Sequence, residues 1–227
     1  MAAYSTLING DKWFAYGFSR KQNCVNPLHW QAMMTLCKYH GHITLYPMHE
    51  TFGKSKEFPP DIVPYYLGEH SLRLLHRAKK VTKDENILLE ALIFDCHKVY
   101  PPGDMYSPEL TERGQNNFDR HHIRYNRKRI KENSILVRKS LGLNTRVNEK
   151  LVELNKQCQA NELYYLQNKS DSELELMGLP KHSDIFDFNL HKEVTSLNPL
   201  TSQKLSELWW NEFNMLKGWE RFDEFGG

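Results

Sequence analysis

The stretch "LVRKSLGLNTRVNEKL", Leu136 to Leu151, decides how the chain is expected to fold. Helix-compatible sequence enters it from about residue 115 and leaves it towards about residue 168. Gly142 suits the left-handed position just past a helix end, and Asn144 or Thr145 suits the N-cap of a helix restarting near residue 146. So short a connection between long helices predicts an antiparallel helical hairpin. The second helix would carry Val147, Leu151, Leu154, Cys158 and Tyr165 on one side.

Working towards the N-terminus, "TKDENILLEALIFDCHKVY" (82–100) is apolar nearly all round from Ile87 to Phe94, which predicts a central buried helix. Thr82 and Glu85 stand at capping-box spacing before it. "SLRLLHRAKK" (71–80) predicts a short helix. "NPLHWQAMMTLCKYHG" (26–41) offers Asn26 as N-cap, Pro27 at the first helical position and Gly41 past the end. The connection between them is rich in Pro and Gly, with one candidate strand at 42–47. Towards the C-terminus, "SDSELELMGLP" (170–180) predicts a short helix and 178–198 reads as irregular. A last helix from about Asn198 to Lys217 would bury Leu205, Leu208, Trp209, Phe213 and Leu216.

The expected fold is therefore mostly α: an irregular helical domain with a long antiparallel helical hairpin and little or no sheet. Three regions follow from the pattern. Residues 1–106 form a helical region with Pro/Gly-rich connections, 107–169 a basic hairpin, and 170–227 an acidic, aromatic-rich end, all within one compact domain.

A chain of 227 residues, 40% apolar and 26% charged, has the size and composition of a folded domain with a substantial core. No apolar run approaches the roughly 20 residues of a membrane-spanning helix, so no membrane insertion is expected. The start lacks the basic-then-apolar order of a secretory signal. Cys24, Cys37, Cys96 and Cys158 are scattered without a C-x-x-C pair, which suits reduced thiols in an intracellular compartment. An organellar or viral-particle location is compatible with the same pattern. The net charge of +2 hides an asymmetry: 22 Lys/Arg against 14 Asp/Glu in residues 1–148, and 8 against 14 in 149–227. A basic front suggests a polyanion partner or an acidic protein surface.

Several catalytic readings weaken when their geometry is considered. His121 and His122 invite a metal-nuclease reading, but adjacent helical residues point about 100° apart and cannot easily share a cation. Cys24, Cys37, His40 and His42 are candidate zinc ligands, although their spacing lacks the tight pairs of a zinc motif. His29, Met33 and Cys37 lie at i, i+4, i+8, which suits a packed helix face better. His42 and His49 each precede a Thr by two residues, as in phosphodiester-cleaving pairs, yet they lie only seven residues apart. "FGKS" (52–55) has Met48 where a phosphate-binding loop needs Gly.

The distinctive surface lies just before the opening stretch. On a helix over 115–141 with Ile123 at zero, Ile130, Val137 and Leu141 fall within about 40° of it. Phe118, Tyr125 and Leu136 widen that apolar side. Arg120, Arg124, Arg127, Lys131 and Arg138 fall between about +40° and +100°, with Lys128 and Lys139 just beyond, and no acid enters the arc. Like charges at i, i+4 cost a few tenths of a kcal/mol each, a cost that a bound polyanion would reverse. The expectation is a non-enzymatic subunit of a larger assembly, such as a ribonucleoprotein particle, that lays this stripe on RNA or another polyanion. Trp210, Trp219, Phe222 and Phe225 would anchor protein neighbours, unless they fold back on the core. The alternative is a small metal-dependent or phosphodiester-acting enzyme using histidines in 24–50 or 121–122. Zinc is the one cofactor the residue types suggest.

Overall fold

A computed structural model describes residues 4–7, 11–14, 23–36, 44–45, 62–63, 65–101, 120–167, 169–183 and 202–217, with the backbone alone for 4–6, 14, 44–45, 62–63, 120–125, 165–167 and 202. The chain is mostly α. Among the described residues six α-helices run in order: α1 (Leu67–Val81), α2 (Glu85–Leu92), α3 (Arg120–Ser140), α4 (Glu149–Gln167), α5 (Asp171–Leu176) and α6 (Ser202–Lys217). Two 3-10 helices accompany them, Pro27–Met34 before α1 and Cys96–Val99 between α2 and α3. Among the described residues sheet comprises two small antiparallel ladders: β1 (Tyr4–Thr6) with β2 (Lys12–Phe14), and β3 (Thr44–Leu45) with β4 (Ile62–Val63). β3 falls inside the expected strand at 42–47.

The buried centre is α1 rather than α2. Every residue from Leu67 to Leu75 is buried, and α1 packs on α2, α4, α6 and the 3-10 helix Pro27–Met34. It is longer than the helix expected over 71–80, because it starts at Leu67 and carries Gly68 inside its first turn. A Cβ on Gly68 would stand 2.6 Å from Met34 Sδ, so only Gly lets the 3-10 helix approach this closely. Lys79 and Lys80 in the last turn match the negative end of the helix dipole.

Three helices differ from their sequence expectation at one end, each for a local reason. The N-cap of α2 is Asp84, whose carboxylate accepts the N–H groups of Asn86 (2.9 Å) and Ile87 (3.4 Å). Thr82 instead ends α1, and its hydroxyl accepts the Asp84 N–H at 3.1 Å. A carboxylate satisfies two orphan donors and meets the positive helix end, which a Thr hydroxyl cannot match. The N-terminal helix is capped by Asn26 as expected, with His29 completing the capping box, but it is a 3-10 helix that ends at Met34. Its three-residue repeat places Trp30 above Met33, both buried against the core. Lastly, α4 begins at Glu149 rather than near 146, with Asn148 Oδ1 accepting the Lys150 N–H at 3.0 Å.

One apolar cluster joins distant parts of the chain. It gathers Trp13, Trp30, Met33 and Met34, the leucines of α1 and α2, Val137 and Leu141 of α3, Leu151 and Cys158 of α4, and Leu205, Trp209 and Phe213 of α6. The α6 stripe is as the periodicity predicts, with Leu205, Trp209 and Phe213 fully buried and Leu208 and Leu216 packed at its edge. Trp30 meets Trp209 and Phe213 edge-on, with ring centroids 6.1 and 5.5 Å away. The connection between α3 and α4 falls at 141–148 as expected, but among the described residues the two helices do not pack extensively on one another, so the expected antiparallel hairpin is not a packed unit. Each of the two helices finds its main packing surface elsewhere: α3 on the 3-10 helix Cys96–Val99, α4 on α1 and α5.

Trp209 stacks on Phe213 (5.3 Å) and closes α6 onto Trp30. Truncating it leaves a large cavity in that cluster. Trp209→Ala should cost about 3–5 kcal/mol in denaturant unfolding, and a loss below about 1 kcal/mol would show that α6 is not part of the cooperative core.

Candidate nucleic-acid interface

α3 sorts its cations by direction. Its apolar seam is as the sequence angles predict, with Val137 and Leu141 buried and Ile130 half-buried. Beside the seam, Arg129 is buried and pairs with Glu132 (3.1 Å), and Asn133 Nδ2 donates to Pro101 O (3.0 Å). On the other side Arg127, Lys128, Lys131 and Lys139 are exposed, and none pairs with a described acid. The inward cations have acids; the outward ones do not. Arg120 and Arg124 lie in the first turns of α3 with side chains outside the described residues.

Arg138 departs from the expected stripe. It is only 4% exposed, and Nη1 pairs with Glu90 of α2 at 2.8 Å. Its Nε donates to Asn144 O and its Nη2 to Arg146 O at 2.8 Å. Glu90 in turn accepts the Asn148 N–H at 2.7 Å. The helix end beneath is a complete Schellman motif: Gly142 at φ +73°, its N–H on Lys139 O (3.1 Å), and the Leu143 N–H on Arg138 O (3.0 Å). The angular position is as the sequence implies, but the 144–148 backbone folds over it. Arg138 is the clamp of the turn, not a surface contact.

The remaining sequence candidates are placed as follows. Trp210 is half-buried: its Nε1 donates to Gln31 Oε1 at 2.8 Å, and its ring meets Trp209 and Phe213 edge-on. It therefore ties α6 to the N-terminal 3-10 helix. Trp219, Phe222 and Phe225 lie outside the described residues, as do the zinc candidates Cys37, His40 and His42. Cys24 is exposed, its thiol facing Val25 O at 3.9 Å. Among the described residues no group of three His, Cys, Asp or Glu is arranged to hold a metal ion. His121 and His122 sit in the first turn of α3, side chains undescribed. His29 is buried; its Nδ1 accepts from Tyr100 Oη (3.1 Å) and the Asn26 N–H, which leaves Nε2–H to donate to Asp11 (2.8 Å). Trp13 stacks on Tyr100 at 4.0 Å, so this cluster pins the β1–β2 ladder to the core.

A second buried cluster was invisible in the sequence. His70 of α1 is fully buried, with Nδ1 2.6 Å from Glu162 Oε1 and Nε2 2.8 Å from Asn155 Oδ1, both on α4. Asp95 lies 3.7 Å from Nε2 and takes Lys98 at 3.0 Å. Tyr65 Oη donates to the same Glu162 oxygen at 2.7 Å. Burial and the Glu162 charge together hold the Tyr65 hydroxyl well above its ordinary pKa, so it stays a donor. With every member buried, this is a satisfied internal network whose chemistry is to fix α4 on α1. Removing Glu162 strands both donors. Glu162→Ala should lose about 3–5 kcal/mol of stability, with Glu162→Gln clearly milder because it keeps an acceptor. Equal losses from the two would show that the hydrogen bonds are not what matters.

The 170–183 segment carries a third polar cluster. His182 stacks on Tyr164 (3.4 Å, 8° between planes) and its Nδ1 donates to Asp171 at 2.9 Å. That bond, and the His182 backbone N–H, hold the Asp171 carboxyl below its ordinary range. The capping box of α5, with Lys169 and Ser170 donating to Glu173, brings Glu173 down to about 2. Both folded pKa values are depressed, so their contribution is complete above the unfolded carboxylate range near 4 and is lost as pH falls through the folded values. In an NMR titration both carboxyls should titrate low. His182→Ala should return Asp171 towards normal while Glu173 stays; a normal Asp171 in the unaltered protein would refute the contact. Neither protein-family models nor curated proteins show a match to this chain.

Proposed function

We propose that the exposed edge of α3 binds the phosphate backbone of a nucleic acid, RNA in the first place, and that the protein serves as a non-enzymatic subunit of a larger assembly. The observation that carries this reading is the charge sorting. Arg129 and Arg138 are matched with Glu132 and Glu90, whereas Arg127, Lys128 and Lys131 stand together in solvent without a described acid. Their repulsion costs stability in the free protein and favours an anionic ligand. Exposed large apolar residues among those described are Leu28, Leu36, Val81, Leu176 and Met215. None of these lies on the described side-chain portion of α3, residues 126–140, which there offers cations rather than the apolar anchors typical of a protein-binding hot spot. That favours a phosphate backbone over an acidic protein.

Such binding is electrostatic, salt-sensitive and largely indifferent to base sequence. Replacing Arg127, Lys128 and Lys131 together by Glu should abolish RNA binding at moderate salt. Replacing the same three by Gln should lower the slope of log K against log salt by about 2–3, since each phosphate contact contributes about 0.7–0.9. Fluorescence anisotropy against salt measures both. Unchanged affinity in the Glu variant, with helix content retained, would remove this reading.

A further inference from the structure

The turn that buries Arg138 also exposes a replacement for it. Arg138 Nη2 holds the carbonyl of Arg146, so the Arg146 backbone lies over the position where the Arg138 guanidinium would otherwise meet solvent. The Arg146 side chain is exposed and pairs with no described acid. Three further bonds fix the loop that carries it: Arg138 Nε to Asn144 O, Asn144 Oδ1 from the Arg146 N–H (3.0 Å), and Glu90 from the Asn148 N–H (2.7 Å). Lys139, at the end of α3, and Lys150, at the start of α4, are likewise exposed without a described acid. At 1.5 Å per residue, the exposed cations of α3 from Arg127 to Lys139 span about 18 Å, and the Arg146 carbonyl is held 2.8 Å from the Arg138 guanidinium near the end of that helix.

We infer that the α3–α4 turn is the second half of the nucleic-acid surface, with Arg146 as a phosphate-contacting residue and the Glu90–Arg138 pair as the device that positions it. This rests on the reading of α3 given above and extends it to a residue outside the helix. The ligand class follows from what the surface offers. Sequence-tolerant binding of single strands normally relies on aromatic side chains on which bases stack. The exposed described residues of α3 and the turn include no aromatic. A row of cations along a helix, continued by a turn held by an ion pair, fits the regularly spaced phosphates of a duplex backbone better than a single strand.

The test compares Arg146→Glu and Arg146→Lys with the Arg127/Lys128/Lys131→Glu variant, using a short RNA duplex, a DNA duplex, single-stranded oligo(U) and polyglutamate as probes. The Arg146 side chain is exposed, so its variants should fold normally by circular dichroism. Arg146→Glu should weaken duplex binding about 5- to 20-fold, while Arg146→Lys keeps most of the affinity. Equal loss on the RNA and DNA duplexes would identify backbone phosphate as the shared ligand; loss on one alone would name that duplex as the partner. If the helix variant loses binding and Arg146→Glu does not, the inference about the turn is overturned and the reading of α3 stands. If neither variant matters, both fall. Tighter binding of polyglutamate or oligo(U) than of duplex would overturn the ligand class.

Discussion

The arrangement of the helices depends on the contact between His70 on α1 and Glu162 on α4, 2.6 Å long and shut away from water. α1 is enclosed along most of its length, so its polar side chains cannot be hydrated and must find partners inside the protein. Glu69 and Arg73 pair along the helix at 3.0 Å. His70 cannot do this alone, because its two ring nitrogens point away from each other. α4 supplies Glu162 and Asn155, two turns apart on one side of the helix, at the spacing the imidazole needs. A buried pair of this kind is weak evidence for net stability, since desolvation offsets much of its attraction. What it supplies is register: sliding α4 by one turn along α1 would strand His70, Tyr65 and Glu162 together.

The same logic explains the surface of α3. A cation-rich helix packed on a core must send some cations inward, and each of those needs an acid. Arg138 meets Glu90, Arg129 meets Glu132, and the turn carbonyls of Asn144 and Arg146 fill the remaining donors of Arg138. What remains in solvent is unmatched and closely spaced. The structural demand of burying one side of α3 thus concentrates uncompensated charge on the other. The turn after α3 is fixed by the same ion pair, which couples the internal packing of α2 to the shape of the exposed cationic edge.

Much of the fold was legible in the residues. The seam of α3, the stripe of α6, the cap at Asn26, the short helix within 170–180 and the left-handed Gly142 all follow from spacing or from one residue's backbone preference. The errors have a common origin. α1 looked like a short helix because its sequence mixes Glu69, His70, Ser71 and Arg73 with leucines; periodicity reads such polar positions as exposed. Thr82 looked like a cap because spacing cannot tell the end of one helix from the start of the next. Arg138 looked like a surface residue because its angle matched the stripe, and nothing local shows that a later loop will cover that angle.

Hydrophobic period, capping chemistry and glycine placement act over a few residues, and they sufficed for the helical class, most helix positions and the apolar faces. Which polar side chains are buried was decided only when the helices met. Glu90 finds the Asn148 backbone across 58 residues, His70 finds Glu162 across 92, and Tyr65 finds Glu162 across 97. A buried charge or hydrogen-bonding group is tolerable only beside its partner. The partner's identity is a property of packing geometry, which no pattern within a single helix contains.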